Sequence, residues 1–109
     1  MRNPRVYITN DTGLSFEKAE AYGELVRVTK GSVDMFRPHE VQNTINKMLS
    51  DFDASIDFLL PSGATIATGF AMAYLALHAD DGKDRDAATL KLLLFDSKSR
   101  DYLLRTVEL

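Results

Sequence analysis

The chain has no cysteine, no tryptophan, three prolines and two histidines among its 109 residues. Without cysteine there is no disulfide, no thiolate metal site and no cysteine nucleophile, a pattern that fits a reducing cytoplasm. Long hydrophobic runs are missing too. The longest, from Ile66 to Leu77, is too short to cross a bilayer and is flanked by charge. Met1-Arg2-Asn3-Pro4-Arg5 lacks the apolar length of a signal peptide. A concentrated basic face is also wanting: the net charge is −3 and the lysines and arginines are scattered, which argues against nucleic-acid binding. The expectation is a cytoplasmic protein with no membrane partner and no nucleic-acid partner.

What remains is the composition of an ordinary globular domain, 45% apolar and 27% charged, at a length that suits one domain, 1–109. Val6 to Thr9 forms a short β-branched and aromatic run that ends at the turn formers Asn10-Asp11-Thr12-Gly13. A two-turn helix capped by Ser15 and closed by Gly23 at C′ is predicted next, followed by a strand from Leu25 to Thr29. Pro38 opens a better marked helix with Val41, Ile45, Met48, Leu49 and Phe52 on one face. Ile56 to Leu60 is the third strand.

That strand breaks at Pro61-Ser62-Gly63, and the turn leads directly into an apolar helix reaching to about Ala79. After the acidic loop Asp80 to Asp86 come strands Leu90 to Phe95 and Tyr102 to Leu109. The turn between these last two is short, so they pair as an antiparallel hairpin. The alternation of strand and helix predicts an α/β fold: a single-domain Rossmann-like three-layer sandwich whose five-stranded sheet is mostly parallel and ends in that hairpin. If the first two strands run one way and the third starts the return, the order 2-1-3-4-5 places a switch point between strands one and three, with Asn10 to Gly13 beside Pro61 to Thr65.

The strand-to-helix corner is where α/β proteins hold anions, because the first N–H groups of a helix have no partner inside it. Candidate ligand contacts are Asn10, Asp11, Thr12 and Gly13 from one loop, Ser62, Gly63 and Thr65 from the corner, and Lys30 as a counter-charge after strand two. The plain alternative is that Ser62 caps its helix and Gly63 makes the turn. Neither a dinucleotide glycine fingerprint nor a P-loop is present.

Asp11-Thr12-Gly13 is similar to the signature of aspartic proteases, but Asn10 before it and two long helical patterns after it do not suit that nearly all-β fold. Asp11 as a nucleophile would need acidic metal ligands after later strands, and Asp96 is the obvious candidate. His39 and His78 sit at helix ends without metal-ligand spacing. The corner loosely resembles that of the Rossmann-like ligand-sensing domains of CRISPR-associated regulators, which implies a bound ligand rather than a reaction.

Two functions follow. The first is a non-catalytic module that binds an anionic small molecule, a nucleotide or phosphate-bearing metabolite, with no cofactor. The second is a protein-interaction or homo-oligomerising module that uses the final strand, where Leu103, Val107 and Leu109 alternate with Thr106 and Glu108. A hydrolase-like enzyme built on Asp11 or Ser62 ranks third, since neither has a visible activating partner.

Overall fold

A computed structural model describes residues 2–78 and 89–108. Its elements are β1 (Arg5–Ile8), a 3-10 helix (Glu17–Ala21), β2 (Glu24–Arg27), α1 (Pro38–Met48), β3 (Phe58–Leu60), α2 (Thr65–Leu77), β4 (Thr89–Asp96) and β5 (Asp101–Glu108). The strands form one sheet in the order β2-β1-β3-β4-β5. The first three interfaces are parallel, and β5 runs antiparallel to β4. This is an α/β domain with a mostly parallel mixed sheet, in the predicted strand order.

β1 is central. Val6 aligns with Leu25 on one side and Phe58 on the other, and Tyr7 lies between Val26 and Leu59. Both faces of this strand are covered, so Val6, Tyr7 and Ile8 are all buried and the run is continuously apolar, as a fully covered parallel strand requires. Tyr7 points to the helical face, where Ile45 of α1, Leu49 at its C-cap and Ala67, Ala71 and Leu75 of α2 meet Leu59 and Leu90. The i, i+4, i+8 spacing of the α2 residues lines one face, and the two alanines let the helix lie close on the sheet. Phe52, just past α1, meets the Tyr7 ring edge-on at 5.1 Å. Met48, predicted to face inward, is exposed.

Val6 and Ile8 point to the other face, against Phe16 and Ala19, with Leu60, Leu93 and Tyr102. Among the described residues the 3-10 helix alone packs there, while both α-helices share the first face. Two local expectations are corrected. Ser15 is not a cap: the segment begins after Phe16 and has no side-chain cap bond. Gly23 is not a left-handed C′ residue but a close-approach residue, because a Cβ there would lie 2.6 Å from the Pro4 carbonyl oxygen.

Asp57, immediately before β3, is fully buried. Arg2 grips it with two guanidinium nitrogens, at 2.7 and 2.5 Å, and the backbone N–H groups of Arg5 and Asp53 donate to the same carboxylate. The pair raises the already high pKa of Arg2, chiefly through the Asp57 hydrogen bond. Among the described residues no helix is long and apolar enough to cross a membrane. The predicted end of α2 at Ala79, the acidic loop Asp80 to Asp86 and Leu109 lie outside the described residues.

Candidate functional site

The loops after β1 and β2 and the start of α2 converge at one end of the sheet. Val28 N–H donates to Ile8, Asp11 N–H to Thr29 and Gly31 N–H to Asp11, so the first two strands stay paired past their formal ends. Thr9, between β1 and the loop, is fully buried. Its hydroxyl accepts from Ser62 N–H, donates to the Ser62 carbonyl oxygen and lies 2.9 Å from the Thr68 hydroxyl.

Asn10 reaches further. Its Oδ1 accepts Ala64 N–H at 2.8 Å, while its Nδ2 donates to Thr29 Oγ1 and the Gly31 carbonyl, each at 3.0 Å. One buried amide therefore makes three hydrogen bonds that tie the end of β1 to two other segments, the loop after β2 and the start of α2. Gly63 has φ +69°, and a Cβ there would overlap the Asn10 carboxamide and lie 2.7 Å from the Asn10 backbone oxygen. The glycine is thus required twice, by backbone conformation and by the contact.

The structure brings Asn10 and the Pro61 to Thr65 corner together as predicted. The free N–H groups at Ser62 and Ala64, however, are bonded to Thr9 and Asn10. Ala64, not Ser62, is the N-cap of α2, and it makes no side-chain cap bond. Thr65 is the first helical residue and is exposed. Thr12, Gly13 and Lys30 are exposed on the loops.

Asp11 is pinned rather than free: Arg27 Nε donates to its Oδ2 at 2.6 Å, and Gly13 N–H donates to its Oδ1 at 2.8 Å. The Gly13 bond first and Arg27 second hold its carboxyl below the usual aspartate value. Arg27 ends a strand, and nothing in its sequence context marks it as the partner of Asp11. Thr9 and Thr29 likewise escape sequence reasoning, because β-branched residues at strand ends carry no signal of what they bond.

Between these loops lies a depression of about 280 Å³ lined by Asn10, Thr12, Gly31, Ser32, Val33 and Ala64. Its lining carries no charged side chain. Asp96 is engaged in its own turn by Lys98 N–H and the Ser99 hydroxyl. Among the described residues no group of three or more acidic or histidine side chains can hold a metal ion. Tyr74 and His78 are neighbouring rings, 4.3 Å between centroids.

At the opposite edge of the sheet, β5 has one neighbour among the described residues. Beside that edge Leu94, Phe95, Leu103 and Leu104 are exposed, while Leu93 and Tyr102 next to them are buried. Tyr102 is also held neutral to higher pH by its burial.

No curated protein and no solved structure matches the chain. Residues 4–109 match the family model described as Phage Pam3 gp32-like protein, nearly the whole length, and the chain therefore belongs to the Phage Pam3 gp32-like protein family.

Proposed function

We propose that this protein works as an interaction module that accepts a further strand on the open edge of β5. The observation that carries the reading is the contrast between the two edges. β2 is four residues long and bounded by Glu24 and Arg27. β5 is eight residues long, Asp-Tyr-Leu-Leu-Arg-Thr-Val-Glu, with none of the proline, lysine or glycine that blunts an edge strand. Exposed leucines accompany it on both faces: Leu94 pairs with Leu103, and Leu104 follows on the other side beside Phe95. Main-chain pairing supplies affinity in strand addition, and flanking side chains supply selection.

Amide hydrogen exchange tests this. Tyr102 and Leu104 direct their N–H groups to the open side and should gain protection as concentration rises. Leu104→Pro, which removes one outward donor without touching the β4 ladder, should abolish the gain. Exchange at free-strand rates at every concentration, unchanged by the proline, would sink the reading.

A second reading is supported by the depression between the loops. It lies at the crevice where the strand order reverses, the usual ligand position in open α/β sheets. Gly13 and Gly31 have positive φ and open space where a side chain would stand, and Thr12 and Ser32 supply hydroxyls. The ligand would be an anionic small molecule held without catalysis, with Lys30 nearby. A panel of nucleotides and sugar phosphates should then raise the melting temperature, and Ala64→Leu should cancel the rise. Under either reading the fold is a Rossmann-like three-layer sandwich whose third layer has shrunk to the 3-10 helix, in a cytoplasmic setting.

A further inference from the structure

The side chains along β5 specify what its edge accepts. Tyr102 N–H donates to Asp101 Oδ1, and Arg105 Nη1 donates to the Leu104 carbonyl oxygen. Both bonds lie off the β4 ladder, so the even-numbered backbone groups of β5 face outward. In an antiparallel strand the N–H and C=O of one residue point the same way, so the same holds for Thr106 and Glu108. On the helix-bearing face stand the odd residues, Asp101, Leu103, Arg105 and Val107; Val107 packs on that core, and Tyr102 packs on the other.

Asp101 and Arg105 are therefore equidistant from Leu103, on one face, with opposite charge. We infer that β5 pairs with β5 of a second copy of this chain about a two-fold axis through Leu103, joining the two sheets into one. This rests on the reading of β5 as a docking edge.

In this register Tyr102 and Leu104 exchange main-chain hydrogen bonds with Leu104 and Tyr102 of the second copy. Leu103 meets its own counterpart in a non-hydrogen-bonded pair, where side chains come closest, backed by Leu94 on each side. Asp101 faces Arg105 of the second copy, and the symmetry repeats the pair. The interface is isologous and closes on itself. Moving the axis to Leu104 leaves Arg105 against leucine and Asp101 against valine. Moving it to Arg105 sets two guanidinium groups face to face. Charge and apolar contact agree only for the axis at Leu103.

The native chain lacks cysteine, so Leu103→Cys introduces a unique thiol at the axis. Sedimentation velocity over a concentration series should show a dimer. Asp101→Arg should weaken it roughly tenfold by turning both charge pairs repulsive, and adding Arg105→Asp should restore it. Oxidised Leu103→Cys should form a disulfide-linked dimer, because a non-hydrogen-bonded pair has a Cα separation suited to the bond. Thr106→Cys, on the other face and away from the axis, should not. The urea midpoint of each variant at dilution reports whether the monomer is intact.

A dimer with protected edge amides but no cross-link at position 103 and no charge-swap rescue overturns this register and leaves the docking edge standing. A monomer at every concentration, or a dimer whose edge amides stay unprotected, overturns both.

Discussion

Gly63 lies so close to Asn10 that a methyl group at position 63 would overlap the asparagine carboxamide. The two residues form a buckle: the end of β1 holds the start of α2 through Asn10 Oδ1 and Ala64 N–H. Gly63→Ala combines a strained positive φ with a clash against a buried group, and should cost about 2–4 kcal/mol. That is a fall of roughly 10–25 °C in melting temperature. Gly13→Ala and Gly31→Ala meet only the conformational penalty, because space is open at both, and should cost about 1 kcal/mol each. Equal losses at all three positions would show that the buckle adds nothing beyond backbone strain.

Asn10→Asp keeps the shape and removes the donor. The carboxylate could still accept Ala64 N–H, but it would face the Thr29 hydroxyl and the Gly31 carbonyl, where Asn10 now donates. The substitution should destabilise by about 1–3 kcal/mol at neutral pH, and by less in acid where the new carboxyl is protonated. Urea unfolding at the two pH values measures the difference, and a pH-independent loss would contradict it.

Arg2→Met leaves Asp57 buried with two backbone donors and no cation. The loss should be about 3 kcal/mol. Arg2→Met combined with Asp57→Asn should recover part of it, since the uncompensated charge is gone. A double variant no more stable than the single would show that Arg2 acts by packing alone.

Ser15→Ala should be almost silent, within about 0.5 kcal/mol, because Ser15 is exposed and the 3-10 helix has no side-chain cap bond. A loss near that of a true helix cap, about 1 kcal/mol, would restore Ser15 as the cap.

Three carboxylates titrate low for the same local reason. The Gly13 N–H holds Asp11, the Ser55 hydroxyl and N–H hold Asp53, and the Lys98 N–H holds Asp96 in the charged form. Their folded pKa values lie below the ordinary aspartate value of 3.8, so the unfolded chain takes up protons first. Their stabilisation is complete above that value and is lost as pH falls through the lower folded values. The urea midpoint should therefore decline as pH falls below about 5, and less steeply in the triple Asp-to-Asn variant. An identical slope in that variant would place acid sensitivity elsewhere.

The parallel sheet and its terminal hairpin were legible because they follow from element types and one loop length, whereas the order 2-1-3-4-5 rested on the added condition that the third strand starts the return. Alternating strands and helices call for parallel crossovers, and the four residues between Asp96 and Asp101 leave β5 no position except beside β4. The meeting of the β1 loop with the β3–α2 corner followed from that order. What each polar residue does there did not, since Asn10 in a turn-forming quartet looks the same whether it faces solvent or ties two neighbouring segments together. Arg2 and Asp57 were opaque for a similar reason: an ion pair across 55 positions has no period. The 3-10 helix defeated capping logic because Phe16 and Ala19 are fixed by the sheet face they cover rather than by their own hydrogen bonds.

The adjacency of β4 and β5 also orders events in time. Their hairpin closes over a short turn and can form within microseconds, whereas setting Val6 beside Phe58 requires closure of most of the intervening chain. The open edge thus exists before the parallel core is complete. Nascent chains at high concentration will partition between finishing their own sheet and joining a neighbour's, so dilution should raise the refolding yield more than added denaturant does.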